Sequence, residues 1–174
     1  MQRQAQTRFH EIYERHREAV RLYVRRRIAA DAVDDVVAET FLVCWRKLDE
    51  VPREPLPWLY AVARKTLANQ YRAMAARDLP RPVPPAENPF LPIEHDDALA
   101  DAFARLSDAD REVLRLVAWE QLSLRDAARV LGCSPVACRV RLHRAKRRLA
   151  AHLEALEVTA AAARRRPRPK GATS

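Results

Sequence analysis

The sequence predicts an all-α protein in which two small helical domains are joined by a proline-rich flexible linker. Only two of the 174 residues are glycines, whereas folds built from β-hairpins place glycine in many of their turns. Strong helix formers, above all alanine, leucine and arginine, are frequent along the chain. Six prolines fall within residues 77–97, and because proline interrupts helices, this stretch separates the helical patterns on either side.

The chain is strongly basic, which indicates a polyanionic partner. Its formal net charge is +9 and its isoelectric point is near 10.2. The charge is concentrated toward the C-terminus, because from Arg129 onward twelve lysines and arginines outnumber two acidic residues, Glu154 and Glu157. Nucleic acid is the usual partner of such a patch, although a solvated basic surface is an alternative explanation.

The remaining composition predicts a cytoplasmic protein, associated with the nucleoid if nucleic acid is the partner. The three cysteines, Cys44, Cys133 and Cys138, are an odd number without a disulfide framework, which fits a reducing compartment. The N-terminus lacks a signal-peptide pattern, and no apolar run approaches the length of a membrane span. Since Cys133, Cys138 and His143 fit no common closed zinc site, we expect no metal and no other cofactor.

Three helices are predicted before the linker. Apolar residues recur at helical spacing over residues 9–28, which gives the first helix. Asp31 is positioned to cap a second helix that runs to about Leu48, with further acidic residues in its first turn. The prolines of residues 49–57 end that helix, and a third helix is predicted from Trp58.

Four helices are predicted after the linker, and three of them begin at serine caps. Ser107 and Ser123 each precede an acidic residue by three positions, which is the pattern of a capping box. Ser134 is followed by proline, which is favoured at the first helical position. These signals place helices near residues 97–106, 108–121, 124–131 and 135–153. The basic residues 156–174 are expected to form a disordered tail.

The last two of these helices form a predicted helix-turn-helix. Only Gly132, Cys133 and Ser134 separate them, and glycine adopts the left-handed backbone that ends a helix. Helical spacing places Cys138 and Leu142 on the inward face of the last helix. Its opposite face and flanks carry Arg139, Val140, His143, Arg144, Lys146 and Arg147. A basic face of this kind is typical of a helix that enters the DNA major groove, and the alternative is a solvated basic helix that ends a bundle.

Two blocks of sequence resemble the sigma-70 family of bacterial RNA polymerase sigma factors. "DDVVAETFLVCWRKLDE" (34–50) and "PWLYAVARKTLANQYR" (57–72) are similar to region 2 of that family. "LSDADREVLRLVAWEQLSLRDAARVLGCSPVACRVRLHRAKRRL" (106–149) is similar to region 4. The interval between the blocks leaves no room for a third domain, as in the extracytoplasmic-function (ECF, group IV) class. The resemblance divides the chain into region 2 (1–76), linker (77–97), region 4 (98–155) and basic tail (156–174).

The resemblance implies a factor that binds core RNA polymerase, directs it to promoter DNA and has no enzymatic activity of its own. Its implied contacts on core polymerase are the β′ clamp helices, through the second helix of region 2, and the β flap. The clamp-docking helix matches the family at Asp35, Glu39, Thr40, Leu42 and Trp45. It departs from the family pattern at Ala38, where glutamine is usual, and at Val43, where arginine is common.

The same resemblance implies how promoter DNA is recognised. Region 2 would melt the −10 element and capture its bases with the loop of residues 51–56 and the helix that follows. The matching residues of that helix are Trp58, Tyr60, Arg64, Lys65, Asn69 and Arg72. Trp58 also fits a core position, and Lys65 stands where the family usually has asparagine. Region 4 would read the −35 element with the basic face of the last helix, and an anti-sigma factor is a further implied partner.

Two other functions are compatible with parts of the sequence. The helix-turn-helix is compatible with a stand-alone transcriptional regulator that binds duplex DNA as a dimer and without polymerase. Asp31, Asp35 and Glu39 lie four residues apart on one helix face, and a metal-dependent nuclease or recombinase uses carboxylates of this kind. Helix capping and the helix dipole also explain acidic residues near a helix start without any catalytic role.

Overall fold

The computed structural model of the chain describes residues 2–77 and 97–165, which form seven α-helices and no β-strand within those ranges. In chain order the helices are α1 (Gln2–Arg25), α2 (Val33–Arg46), α3 (Pro55–Ala76), α4 (Asp97–Ala104), α5 (Asp108–Ala118), α6 (Leu124–Leu131) and α7 (Pro135–Arg165). We call α1–α3 the N-terminal module and α4–α7 the C-terminal module. The predicted all-α fold is confirmed, whereas the predicted linker lies outside the described residues except at its two ends.

The N-terminal module is a bundle in which each of the three helices contacts the other two. On α1, Val20 and Val24 follow the helical spacing and are fully buried, as is Ile28 just after the helix. α2 contributes Val36 and α3 contributes Leu59 to the same core. Removing these side chains from water is the main force that holds the bundle together, because most helical stability in proteins comes from packing an apolar helix face.

The start of α2 differs from the prediction. Residues Ala30–Ala32 form a short 3₁₀ turn, and α2 begins only at Val33, after an N-cap at Ala32 that has no side-chain hydrogen bond. Asp31 therefore lies within the 3₁₀ turn and does not cap the helix. Asp34 and Asp35 occupy the first turn of α2 instead, where the helix dipole stabilises negative charge.

α3 starts three residues before the predicted Trp58, at Pro55. Proline fits the first turn of a helix because the amide hydrogens there have no partner within the helix. Both Pro55 and Pro57 lie in that first turn, so the prolines begin α3 rather than delay it. A second 3₁₀ turn, Leu48–Glu50, follows α2, and residues 51–54 form the loop between that turn and α3.

The predicted serine caps of the C-terminal module are confirmed. Each serine hydroxyl accepts a hydrogen bond from the backbone amide three residues later. The bonds are Asp110 N to Ser107 Oγ at 3.2 Å, Asp126 N to Ser123 Oγ at 3.1 Å and Ala137 N to Ser134 Oγ at 3.1 Å. Each bond satisfies an amide that the helix itself leaves without a partner, which fixes the starts of α5, α6 and α7.

Gly132 ends α6 in the predicted left-handed conformation, with φ of 66°. The amide of Cys133 donates to the Ala128 carbonyl at 3.0 Å, and the amide of Gly132 donates to the Arg129 carbonyl at 3.2 Å. This pair of bonds is a Schellman motif, which satisfies the last carbonyls of α6 and reverses the chain. The turn between α6 and α7 is thereby fixed by backbone geometry.

Replacing Gly132 by alanine should lower the free energy of unfolding by about 1–2 kcal/mol, because an L side chain is strained in the left-handed region. Beyond the two adjacent residues, no heavy atom of the described chain lies within 4 Å of the added methyl group, so the loss comes from backbone conformation. Urea denaturation followed by circular dichroism measures it. Gly132→Asn is the matched control and should lose less, since asparagine tolerates this conformation. Equal stability of the alanine variant and the wild type would contradict the assigned geometry.

α7 is longer than predicted. It continues beyond residue 153 to Arg165, so the described part of the expected disordered tail is helical. The segment is rich in alanine, which has the highest helix propensity, and that propensity outweighs the basic composition on which the prediction relied. Residues 166–174 lie outside the described residues. In the described ranges, no helix is both long and apolar enough to cross a membrane.

The two modules pack against each other, which the sequence did not predict. α3 of the N-terminal module lies against α6 of the C-terminal module. Buried residues of both modules form one continuous apolar cluster. The helix expected to meet the −10 element and the helix-turn-helix are therefore neighbours in this structure.

Candidate functional site

The helix-turn-helix presents the predicted basic face to solvent. Cys138 and Ala145 on the inner side of α7 are fully buried, and Leu142 and Leu149 are partly buried against the core. The outer side of α7 carries the exposed residues Val136, Arg139, Val140, His143, Arg144, Lys146 and Arg147. All residues predicted to meet the −35 element thus lie on exposed positions of one helix. The N-terminal part of α7 follows directly after the tight turn at Gly132.

Arg148 differs from the other exposed arginines of α7 because it pairs with a buried carboxylate, although its own side chain remains 58% exposed. Its Nη1 donates to Oδ2 of Asp110 at 2.5 Å, and the Asp110 side chain is only 4% exposed. The serine-x-x-acid pattern accounts for the cap at Ser107 but does not reveal this second role of Asp110. The ion pair ties α7 to α5 and so fixes the direction in which the basic face points.

α2 presents an exposed face with two large apolar side chains. Leu42 is 40% exposed and Trp45 is 41% exposed, which is unusual for residues of this size on a small bundle. Asp35 and Glu39 are also exposed and lie two turns and one turn, respectively, before Leu42 on the same side of the helix. Trp45 is held in place by an edge-on contact with Phe9, with ring centroids 5.2 Å apart. We call Asp35, Glu39, Leu42 and Trp45 the α2 face.

Thr40 was predicted to belong to the same docking surface, but the structure buries it completely. Its Oγ1 donates to the Val36 carbonyl at 2.7 Å, one turn earlier in the helix. This bond satisfies the hydroxyl inside the core, which is how a threonine is accommodated on a buried helix face. Thr40 therefore has a structural role in this conformation and is not available to a partner.

α3 exposes the predicted polar residues Arg64, Lys65, Asn69 and Arg72. The Arg72 Nη2 donates to Oδ1 of Asn69 at 2.5 Å, so these two side chains are held together. Trp58, at the start of the helix, is partly buried. The exposed set forms a cationic strip with one amide, which suits contact with a nucleic-acid backbone.

Tyr60 was predicted to contact DNA, but it is a core residue. Its ring stacks on Tyr23, with centroids 4.6 Å apart and an interplanar angle of 18°. Burial raises the pKa of Tyr60, so the hydroxyl stays protonated at neutral pH. Its position on the inner side of α3 leaves no surface for a DNA base in this conformation.

An open cleft of about 560 Å³ lies beside the loop before α3. Pro52 and Arg53 of the loop form one side, Trp58 and Ala61 of α3 form another, and Arg129 of α6 also lines it. The cleft adjoins the segment that the sequence predicted to capture bases. Because Arg129 belongs to the C-terminal module, the packing of the modules contributes one of the lining residues.

The acidic residues do not form a metal site in the part of the chain that the structure describes. Within residues 2–77 and 97–165, no three His, Cys, Asp or Glu side chains come together in a way that could hold a metal ion. Asp31, Asp35 and Glu39 are exposed, and Asp31 lies on the 3₁₀ turn rather than on α2. The carboxylates required by the nuclease alternative are therefore not assembled in these ranges.

Sequence reasoning missed a set of charged residues where the end of α1 meets α5. Arg27 Nε donates to Glu112 Oε2 at 2.9 Å, and Arg27 Nη1 donates to Glu120 Oε1 at 3.0 Å. Arg26 Nη1 donates to Glu120 Oε2 at 2.9 Å, and the Tyr23 hydroxyl donates to Glu112 Oε1 at 2.9 Å. The four charged side chains are at most 13% exposed. We call these five residues the ionic cluster.

The ionic cluster joins the two modules through buried ion pairs. Burial acts to raise the pKa of Glu112, but the charge of Arg27 and the hydrogen bonds from Arg27 and Tyr23 hold that pKa below its ordinary value. Burial also raises the pKa of Tyr23, whose ring lies 3.5 Å below the guanidinium carbon of Arg27. Glu112 is therefore charged at neutral pH, and each cluster carboxylate is bonded by an arginine of the other module.

The comparisons with known proteins agree with this architecture. The family model "Sigma-70 region 2" matches residues 12–77, and "Sigma-70, region 4" matches residues 96–149. The ECF RNA polymerase sigma factor SigL of Mycobacterium tuberculosis is 30% identical over 160 residues, which cover 85% of this chain and 90% of SigL. The probable RNA polymerase sigma factor RfaY of Xanthomonas campestris is 30% identical over 146 residues, which cover 74% of this chain but only 35% of RfaY.

A solved structure shares the fold of this chain. CnrH in complex with the cytosolic domain of CnrY is 28% identical, with a TM-score of 0.60, and the match covers 84% of this chain and 88% of CnrH. The fold and the paired helical modules thus define an RNA polymerase sigma factor. The chain belongs to the sigma-70 family, in its ECF class. As a member of that family it is a transcription initiation factor. The family membership that the sequence motifs predicted is confirmed.

Proposed function

We propose that this sigma factor docks on core RNA polymerase through the α2 face, captures the −10 element with α3 and reads the −35 element with α7. One observation carries the proposal: a chain of the sigma-70 family exposes large apolar residues on α2 and a continuous basic face on α7. Each exposed face lies on the element where the family resemblance assigns a contact. The catalytic chemistry of RNA synthesis then belongs to core polymerase, and this chain supplies recognition.

The α2 face has the composition of a protein-binding surface. Leu42 and Trp45 provide apolar area that gains free energy when a partner covers it, and tryptophan is prominent among residues that dominate binding energy. Asp35 and Glu39 lie on the same side and favour a partner with basic residues. We assign this face to the β′ clamp helices of core polymerase, and the β flap to the C-terminal module.

The −10 element is assigned to α3 and the adjoining cleft. Arg64, Lys65 and Arg72 neutralise phosphates, and Asn69 can hydrogen-bond a base edge once Arg72 releases it. The cleft beside Trp58 and the loop has the position and the partly apolar lining that an unstacked base requires. Tyr60 is buried and stacks on Tyr23, so we assign it a role in the core beneath α3 and no contact with DNA.

The −35 element is assigned to the leading half of α7, which follows the fixed turn at Gly132. Arg139 and Arg144 can pair with guanine in the major groove, and Val140 can contact a thymine methyl group. Lys146 and Arg147 lie further along the helix and would meet phosphates. We also propose an anti-sigma factor as a partner of this chain. The related CnrH has been solved in complex with the cytosolic domain of CnrY.

Replacing Arg144 by alanine should cost roughly 1–3 kcal/mol in binding to the best −35 sequence and relax the preference at one or two base positions. The loss is selective because a bidentate contact discriminates between bases, whereas a phosphate contact does not. Transcription by the reconstituted holoenzyme on a library of −35 variants measures it.

Arg3→Ala is the control for this measurement, because Arg3 is exposed near the start of α1 and its removal changes the net charge by the same amount. Its transcription profile should match that of the wild type. If Arg144→Ala lowers output equally on every −35 variant, α7 provides only electrostatic attraction and the base-reading assignment is wrong.

A further inference from the structure

The packed arrangement of the modules cannot recognise both promoter elements at once. The −10 and −35 elements are named for positions roughly 25 base pairs apart, which corresponds to about 85 Å along straight duplex DNA at 3.4 Å per step. In this structure α3 lies directly against α6, and α6 is joined to α7 by a three-residue turn. The helices assigned to the two elements must therefore move apart before both can bind.

The chain between the modules is long enough to permit that separation. Twenty peptide units connect Arg77 to Asp97, and a fully extended chain of that length spans at most roughly 70 Å. The dimensions of the modules add to this reach. The length of the connection therefore permits separation, and contacts between the described parts of the two modules hold the closed arrangement.

The ionic cluster supplies contacts suited to reversible closure. Its carboxylates, Glu112 and Glu120, come from the C-terminal module, whereas its arginines come from the N-terminal module. When the modules separate, all four groups regain water, which offsets much of the attraction that is lost. When one side alone is removed, the closed state retains buried charges without counter-charges, and that state is strongly destabilised.

Closure also affects the surface assigned to the −10 element. Arg129 of α6 lines the cleft together with Trp58 and Ala61 of α3. An unstacked base and its phosphates would therefore enter beside a helix of the other module. Opening would withdraw Arg129 from the edge of this cleft and so widen the access to Trp58.

We propose that this structure is an autoinhibited, closed state of the free sigma factor, and that the ionic cluster is the contact that must break when the factor joins core polymerase and promoter DNA. The inference rests on the proposed function and adds its regulation. A ligand that binds only the open state has an apparent affinity reduced by the fraction of open molecules. Weakening the cluster should therefore strengthen binding to core polymerase, although it removes contacts from the folded chain.

The test uses the full chain with Glu112→Gln and Glu120→Gln combined, which removes both carboxylates and preserves their shape. Small-angle X-ray scattering of the free variant should show a larger radius of gyration than that of the wild type, with unchanged helicity by circular dichroism. Titration with core polymerase should give an apparent Kd at least tenfold lower, because more molecules are open before binding.

The control combines Glu18→Gln with Asp101→Asn, which removes one exposed carboxylate from each module and changes the charge equally. It should match the wild type in scattering and in core binding. If the glutamine variant loses helicity, Arg27→Gln weakens the cluster from the other module and should give the same expansion and the same tighter binding.

The outcomes separate the two proposals. A folded variant with an unchanged radius of gyration shows that the cluster does not hold the modules together, and an expanded variant with wild-type affinity shows that closure is not inhibitory. Either result overturns the inference. Failure of wild type and variants alike to bind core polymerase overturns the proposed function, and the inhibitory role with it.

Discussion

Replacing Asp35 and Glu39 together by lysine should abolish assembly with core RNA polymerase while leaving the chain folded. Both side chains are exposed on α2, so the substitution removes no buried contact. It reverses the charge on the same side of the helix as Leu42 and Trp45, and like charges placed across an interface cost several kcal/mol. Gel filtration of the variant mixed with core polymerase measures assembly, and circular dichroism verifies the fold.

Glu14→Lys combined with Glu18→Lys is the matched control for this experiment. The two residues are exposed on α1 with the same four-residue spacing, so the change in net charge and in helix pattern is the same. The control should co-elute with core polymerase as the wild type does. Co-elution of the α2 variant at wild-type levels would show that core polymerase docks elsewhere.

Replacing Tyr60 by alanine should lower the free energy of unfolding by about 3–5 kcal/mol, as is usual when a buried aromatic ring is truncated. The ring stacks on Tyr23, which also donates its hydroxyl to Glu112 of the ionic cluster. The substitution therefore leaves a cavity beneath the contact between the modules. Urea denaturation of the free chain measures the loss.

Tyr60→Phe separates the core role of Tyr60 from a role in DNA binding. Phenylalanine keeps the stacked ring, so this variant should retain most of the stability and wild-type promoter opening. If Tyr60→Ala were as stable as the wild type but failed to open the promoter, Tyr60 would act on DNA and its placement in the core would not explain its function.

The elements with local signals were predictable from the sequence. The three serine caps, the left-handed Gly132 and the inward face of α7 each depend on residues within a few positions of one another. The two-module fold and the basic face of α7 follow from these signals together with the hydrophobic spacing. Pattern reasoning succeeds here because a cap or a turn carries its own energetic preference.

The contacts between distant segments were not predictable in the same way. Arg27 meets Glu112 and Glu120 across 85 and 93 residues of sequence, and no local pattern distinguishes these arginines and glutamates from others on solvated helices. Arg148 is a similar case, because its pairing with Asp110 depends on how α7 crosses α5. Such pairs are set by tertiary packing, and the sequence alone does not show which charges will meet.

Individual positions within correctly predicted helices also needed the structure. Thr40 and Tyr60 lie in the motif blocks that resemble the family, and both turn out to be core residues. Asp31 has the chemistry of a cap, but the 3₁₀ turn at Ala30–Ala32 moves the start of α2 beyond it. A motif identifies the helix that makes a contact, whereas burial decides which of its side chains can reach a partner.

The central claim, that this chain directs core polymerase to specific promoters, is tested most directly by transcription of fragmented genomic DNA from its own host. Purified core polymerase is supplied with or without the chain, and the 5′ ends of the transcripts are sequenced. We expect discrete start sites that depend on the chain and share two upstream elements at a fixed spacing. Start sites unchanged by the chain, together with binding of the chain to duplex DNA as a dimer without polymerase, would contradict the claim and identify a stand-alone regulator.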